Sequence, residues 1–441
     1  MQMNTRSVAG ACALAVLAAA PAAGQVPLTP RALGMGNAYV AAARGSESLW
    51  QNPANLALPG TAHWSFNIPT LSLGADVLGL DLGDVVDLAQ YDQQTDERKQ
   101  EILAAVPAGG TEVRADVRLP FAAGQIRHFA AGFAFHTVAS LTVDRDFVDL
   151  LLFGFQAQPG RYNITPQETQ GFRASFWDFA GAYGRRLPLP GPGALTVGAT
   201  AHVYLGTALL RSGIVRVDTV RNTVGIPTDL QVTYAGVKDR GGSGVGLDLG
   251  AAWQPVPALT LSASVGNVLN TFHFGGGRSL KQVTLTSADY RSGDLQGVVD
   301  RYDASEAEYQ EATASANVRA LAGDLGVDAD LPRMLRAGAA FEPRAGTLVS
   351  AAYQGALGDS RVTGLWDRNL GIGVQQRLAF VSARLGASTN LDSGTMLSGG
   401  LSIGPLQLGL AHVTDGSPAD ADRSGWIATL GFGTRSQTRM P

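Results

Sequence analysis

The chain has 441 residues, 45% of them hydrophobic and only 16% charged, against roughly 25% charged in an average soluble domain. Mean hydropathy is nevertheless only +0.06, and no run beyond the N-terminus approaches the ~20 apolar residues of a membrane helix, which excludes a polytopic helical membrane protein. A net charge of −4, with no concentration of Lys and Arg, excludes nucleic acid as the partner.

In chain order, Arg6 precedes an apolar core from Val8 to Ala20 and small residues through Ala23. Residues 1–24 therefore read as a signal peptide, with the mature chain starting near Ala23 to Gln25. The one cysteine, Cys12, lies inside that apolar core, so the mature chain is expected to carry no thiol or disulfide. Ala9, Gly10 and Ala11 lack the branched or leucine-type position of a lipobox, which argues against lipidation.

The segment from Arg31 to Gly60 is packed with small residues. Gly34 and Gly36 permit close backbone approach, and Asn37 is expected to cap a short helix through Ala38, Tyr39 and Val40. Trp50 stands beside Asn52, Pro53, Ala54 and Asn55, where Pro53 drives its predecessor out of helical geometry. Such a segment, about residues 25–60, would pack inside a barrel; a periplasmic leader into the first strand is the plainer alternative.

Beyond it the pattern has period two. Val245, Leu247, Leu249, Ala251 and Trp253 alternate with Gly246, Asp248, Gly250 and Ala252, and the same holds for Leu195 to Leu205 and for Leu370 to Val374. Strands are expected over Ala62–Gly74, Thr111–Ile126, Phe129–Leu141, Phe172–Leu187, Ala194–Gly206, Gly244–Gln254, Ala258–Asn270, Leu331–Glu342, Thr347–Ala356, Arg368–Arg377, Val381–Ala387, Thr395–Ile403, Leu406–Val413 and Gly425–Gly433. Short turns such as Pro188–Gly193 alternate strictly with longer connections, the asymmetry of an outer-membrane barrel. The expected fold is all-β, a transmembrane antiparallel barrel of about fourteen strands, within a range of twelve to sixteen, over residues 61–433. Its long extracellular insertions are 75–110, 207–243 and 274–331, and residues 434–441 form a tail. Runs at Ile214–Val220, Gln231–Gly236 and Gln282–Thr286 read as hairpins above the membrane. Helices are expected from Thr95 through Val106 and over Ala304–Leu325, outside the bilayer.

Glu112, Arg114, Asp116, Arg118, Asp248, Arg336 and Arg384 fall on inward positions. They suit a hydrated, salt-bridged lumen, or a selectivity ring if they share a depth. The six histidines show no metal-ligand spacing, so neither metal nor cofactor is expected. His136 or His202 beside a serine could imitate a hydrolase pair, but hydroxyls line every inward face and such a coincidence carries little. The chain reads as a non-enzyme. GGGR at Gly275–Arg278 and GGSGVG at Gly241–Gly246 lack the lysine and hydroxyl of a phosphate loop.

The stretch LGMGNAYVAAARGSESLWQNPANLAL resembles the N-terminal signature of FadL-type fatty-acid transporters and PorV-type outer-membrane proteins, with Gly34, Gly36, Ala38, Tyr39, Asn52, Pro53, Ala54 and Leu56 on the pattern. Arg44 and Gln51 depart from it. ARGSESLWQNPANLAL, TDERKQEILAAVPAGG, DFVDLLLFG and GGSGVGLDLG resemble, over nearly the whole chain, an outer-membrane family described only as a domain of unknown function. The resemblance implies an N-terminal hatch in a fourteen-stranded barrel and a route by which a small hydrophobic ligand leaves sideways into outer-membrane lipid. PorV-type relatives imply instead a scaffold or shuttle with an envelope protein partner. An open porin conflicts with a folded hatch. A monomer in the cell outer membrane is expected.

Overall fold

Along β7 (defined below) Val245, Leu249 and Trp253 are exposed while Gly246, Asp248 and Ala252 are buried, so the apolar column points outward. A sheet built this way is inside out relative to a soluble sandwich: lipid can cover the outer face, and a lumen holds the polar one. A bilayer offers no partner for a free strand edge, so the sheet must close. This computed structural model describes residues 29–78, 84, 87–88, 93–154, 164, 169–188, 193–221, 223–224, 227–292, 295–324, 331–357, 368–390, 394–414 and 423–435.

The chain starts with helix α1 (Pro30–Gly34), a 3-10 turn at Gly45–Glu47, α2 (Ser48–Gln51) and a second 3-10 turn at Pro53–Ala57. Strand β1 (Trp64–Leu78), helix α3 (Asp96–Ala105), β2 (Thr111–Ile126), β3 (Phe129–Val143) and helix α4 (Arg145–Phe153) follow. Next come β4 (Gln170–Leu187), β5 (Ala194–Arg221), β6 (Pro227–Asp239), β7 (Gly242–Val256), β8 (Leu259–Asn270), β9 (His273–Phe274) and β10 (Arg278–Leu285). Helices α5 (Ser287–Ser292) and α6 (Leu295–Ala304), β11 (Ala307–Glu308) and α7 (Ala316–Asp324) lead to β12 (Arg333–Arg344). The chain ends with β13 (Thr347–Leu357), β14 (Arg368–Leu378), β15 (Val381–Asn390), β16 (Gly394–Ile403), β17 (Leu406–Thr414) and β18 (Arg423–Arg435).

Antiparallel pairing runs β1–β2–β3–β4–β5–β7–β8–β12 and on through β18. Pairing of β18 with β1 then closes a ring of fourteen strands, the number expected. The last strand shows the inside-out pattern at its clearest. Trp426, Leu430 and Phe432 are exposed, whereas Ile427 and Thr429 are buried.

β5 is twice as long as expected. Its first half, Ala194–Gly206, pairs with β7, and its second half, Leu209–Arg221, pairs with β6. A register shift opposite Ser175 and Phe176 marks the change of partner, as a bulge allows. β6 also pairs with β10, and β10 with β11, so the three runs expected as hairpins lie in one sheet that extends the barrel on its long-loop side.

The helix expected from Thr95 forms, with the Thr95 side chain accepting from the Arg98 N–H. The one expected over Ala304–Leu325 does not run through. α6 ends at Ala304, Ala307 and Glu308 pair with β10, and α7 begins only at Ala316, where the Ser315 hydroxyl caps the Val318 N–H. Serines at 305 and 315 compete for backbone hydrogen bonds and break the Ala/Glu pattern. α4, in a connection expected only as a loop, is capped by the Asp144 carboxylate and stops at Gly154, φ 72°. The signal region 1–24 and residues 436–441 of the expected tail lie outside the described residues; Thr434 and Arg435 belong to β18.

Candidate functional site

The segment from Thr29 to Leu58 is almost wholly buried. The Thr29 hydroxyl accepts from the Ala32 N–H and Pro30 opens α1, a favourable start because proline has no N–H to leave unpaired. The chain then turns through Gly36 and Asn37, both at φ 61°. Two successive left-handed residues cannot begin a helix, so Asn37 is a turn residue rather than the expected cap, and residues 38–40 are not helical. A Cβ on Gly36 would lie 2.6 Å from the Ala387 carbonyl oxygen of β15, and one on Gly34 2.9 Å from Gly400 Cα of β16. Backbone therefore rests on backbone here.

Polar side chains fasten the rest. Glu47, buried, accepts from Arg31 Nη1 at 3.0 Å and from the Tyr39 hydroxyl at 2.7 Å. Asn52 Nδ2 donates to the carbonyls of Ala251 on β7 and Ala263 on β8, each at 3.0 Å, while Oδ1 accepts from the Ala54 N–H at 3.0 Å. Asn55 Nδ2 reaches back to the Val40 and Ala43 carbonyls, and its Oδ1 accepts from Ser262. Ser264 and Thr200 donate to the Gln51 and Leu49 carbonyls. The Asn52–Pro53 corner thus ties the segment to two neighbouring strands through one side-chain amide. Trp50 is buried with Leu49, Leu56 and the alanines of β2, β3 and β4.

On the long-loop side of this segment lies a belt of buried charge. His202 Nδ1 and Asp178 Oδ1 are 2.9 Å apart, His202 Nε2 and Asp248 Oδ2 3.6 Å, and His136 Nε2 and Asp178 Oδ2 3.9 Å. Arg336 Nη1 is 4.0 Å from the same Asp248 oxygen, Oδ2, while Asp248 Oδ1 accepts from the Asn267 N–H at 2.7 Å. Trp50 stands 6.2 Å from the His202 ring. An aromatic layer covers the belt: Phe176 stacks on His136 at 5.0 Å and Tyr204 on His202 at 5.5 Å. Phe172, Phe272 and the apolar residues of α7 complete it. Both ring nitrogens of His202 face carboxylates, which leaves neither to activate a serine.

The wall itself is interrupted. β1 and β2 pair from Trp64↔Ile126 to Asn67↔Ala123 and resume only at Ser72↔Arg118. Pro69 and Pro120 stand in the unpaired stretch, and neither can donate to a ladder. Each strand also shifts register against its other neighbour there, β1 between Ile68 and Leu71 and β2 between Pro120 and Ala122. Phe121, at the bulge, stacks on Phe133 and packs at a tilt against Trp177. Next to the gap, toward the short turns, an apolar hollow of about 890 Å³ opens on the outer wall. Trp64, Phe66, Phe129 and Tyr183 wall it, and Gly124 and Ala131 lie in its floor.

Residues 53–411 match the Family of unknown function DUF5723. The chain belongs to this family. No curated protein matches it. Among solved structures, the CymD monoaromatic hydrocarbon channel aligns with a TM-score of 0.51 and 13% identity, covering 94% of this chain and 99% of that one. A deletion mutant of the TodX monoaromatic hydrocarbon channel aligns with a TM-score of 0.51 and 12% identity, over 93% and 99% of the two chains. The toluene transporter TbuX of Ralstonia pickettii gives 0.47 and 16%, over 93% and 99%. The likeness at these identities is one of fold.

In this DUF5723 chain the structure brings Gly34, Gly36, Tyr39, Trp50, Asn52, Pro53, Ala54 and Asn55 into one packed segment. The inward charges do not form one ring. Asp248 and Arg336 meet, but Arg384 lies elsewhere, beside Gly34, donating to Gln375 and Ser402. Glu112 lies opposite Thr142 near the start of β2, and the side chains of Arg114, Asp116 and Arg118 lie outside the described residues. Asp178, His202 and His136 were not among the expected lumen charges, although His202 shares the polar column of β5 with Thr200 and Tyr204. Among the described residues no three His, Cys, Asp or Glu side chains converge as a metal site.

Proposed function

We propose that this DUF5723 barrel sits in the outer membrane, after removal of residues 1–24, and passes small hydrophobic molecules sideways into the lipid. The observation that carries this reading is the β1–β2 gap, opened by Pro69 and Pro120 and adjoining an apolar hollow on the outer wall. Ligand sites are concave and mostly apolar, and a break in a ladder leaves a wall that can part without losing hydrogen bonds. Residues 25–60 act as a hatch, held by the Asn52–Pro53 corner, so that a molecule enters the lumen only when the segment shifts. A barrel of the same fold is a monoaromatic hydrocarbon channel, which supports testing compounds of that size and polarity. The partners are then outer-membrane lipid and a small hydrophobic ligand, and a monomer suffices.

A second reading has its own observation. The lumen is filled by the N-terminal segment, the charge belt and the aromatic layer in succession, and the β5–β6–β10 sheet stands beyond the ring. Both suit a scaffold that presents a surface to an envelope protein. Mass spectrometry of lipids co-purifying in mild detergent, beside an unrelated barrel prepared identically, separates the two. An enriched hydrocarbon or fatty acid supports passage; a control-level profile with a co-purifying protein supports the scaffold and removes the transport reading.

A further inference from the structure

The register places Arg173, Leu210, Lys238 and Ser279 in one row across β4, β5, β6 and β10. Directly opposed residues share a face, so Arg173 and Lys238 project to the same side, two strand spacings or about 10 Å apart. Arg240 and Lys281 follow at two-residue intervals on that face. The opposite face carries Phe172, Arg211 and Val237, with Phe172 and Val237 in the aromatic and α7 cluster, so the cationic face is the outward one. Farther from the ring that same face, at Ile214, Val232 and Val283, is covered by α4 and α6, and the row lies below their edge. On β5 it lies roughly 15 Å beyond Leu205, at ~3.3 Å per residue, and Leu205 is an exposed member of the lipid-facing column. The row therefore stands where lipid headgroups begin on the long-loop side.

The four cations are unequally matched. Lys281 Nζ meets Asp303 at 2.6 Å and Glu306 at 3.6 Å, and Arg240 pairs with Glu306. Arg173 donates from Nε to the Ser175 hydroxyl at 3.2 Å. Among the described residues, neither Arg173 nor Lys238 has a carboxylate partner. Partial burial and the facing charges of Arg240, Arg173 and Lys281 together press the Lys238 ammonium below its ordinary range. Like charges held together in this way favour an anion between them. A guanidinium and an ammonium reaching from either side of Leu210 suit a phosphate between them, the first as a fork and the second as a point charge.

We propose that Arg173 and Lys238 bind the phosphate of an anionic lipid headgroup at the long-loop surface of the membrane. The proposal rests on the membrane placement above and is independent of what the barrel transports. Free inorganic phosphate offers the same chemistry, but an outward position just past the apolar band points to lipid.

The test uses the full chain in nanodiscs of phosphatidylcholine doped with a phosphate-monoester lipid, read by native mass spectrometry of retained lipid. Failure to enter nanodiscs as a folded barrel would count against the membrane placement, separately from this site. With insertion achieved, R173Q/K238Q is expected to lower retention of the anionic lipid about tenfold, while R173K/K238R keeps it. R344Q/R377Q, which removes the same charge at the short-turn end, is also expected to keep it. The heat-dependent gel mobility of a folded barrel checks that each variant has formed. Equal loss in R344Q/R377Q would reduce the effect to net charge and overturn the site. Complete displacement of the lipid by millimolar inorganic phosphate would overturn the lipid assignment in favour of the free ion.

Discussion

Asn52 occupies the space that a side chain at Gly250 would need: a Cβ there would collide with Asn52 Oδ1 and stand 3.1 Å from Pro53 Cδ. Glycine on β7 and the Asn-Pro corner are therefore one fitted contact, and the segment cannot hold its place if either side changes shape.

Gly250→Leu is expected to push the corner off β7 and destabilise the barrel by about 1–3 kcal/mol, the usual cost of overpacking. The midpoint of the heat-dependent gel shift should fall, and single-channel recordings should show leak absent from the wild type. An unchanged midpoint with no leak would mean that the corner is not fixed by this contact.

Replacing Asn52 and Pro53 together by alanine removes both donors to Ala251 and Ala263 and the Ala54 cap. At roughly 1–3 kcal/mol for each buried group left unsatisfied, the segment should loosen more than the barrel does. Swelling of proteoliposomes in small sugars should rise; swelling at the wild-type rate would argue against a plug.

In the charge belt, Asp178 holds His202 at 2.9 Å and faces His136 at 3.9 Å. Asp178→Leu leaves these partners buried without their acid and should cost about 3–5 kcal/mol. Thermal unfolding in detergent measures the loss, and a shift no larger than that of a surface substitution would show that the belt is not structural.

Clamping the wall gap should stop passage. Leu71 and Leu119 oppose each other across it in register, and Cys12 is the sole native cysteine. With Leu71→Cys and Leu119→Cys joined by a short reversible cross-linker, transfer of a labelled apolar compound should drop sharply and return on reduction. Undiminished transfer would move the exit elsewhere.

Acid is expected to loosen the α5–α6 region. Partial burial raises the Asp289 pKa, but hydrogen bonds from the Thr286 N–H and hydroxyl and from Arg301 outweigh it and hold the carboxyl below its ordinary range. The stabilisation is complete above the ordinary carboxylate pKa and fades as pH falls through the depressed value. Hydrogen exchange in α5 and α6 should quicken over that interval in the wild type and show little pH dependence of this kind in Asp289→Asn.

The ring and the N-terminal packing were legible because they rest on local signals. Alternation along β7 shows one lipid face, Pro53 rules out a helical Asn52, and Gly34 and Gly36 announce close approach. Asn37 misled because one polar residue before an apolar pair suits a cap and a left-handed turn equally. Asp178 and His202 were harder: each is a single polar residue in a polar column, and their meeting depends on the stagger between β4 and β5. The wall gap had a signal, one proline inside each of two strands, but only the register sets Pro69 beside Pro120.

The N-terminal segment grips the ring at distant points. α1 rests on β16, where Gly34 meets Gly400, and the Asn52 corner is tied to β7 and β8. β1 and β18 meet at the seam where the first and last strands join. These anchors lie on strands far apart around the ring, so the segment is a strut across the lumen as well as a filling. It couples the C-terminal half of the wall to its middle, and any motion that frees one anchor is felt at the other.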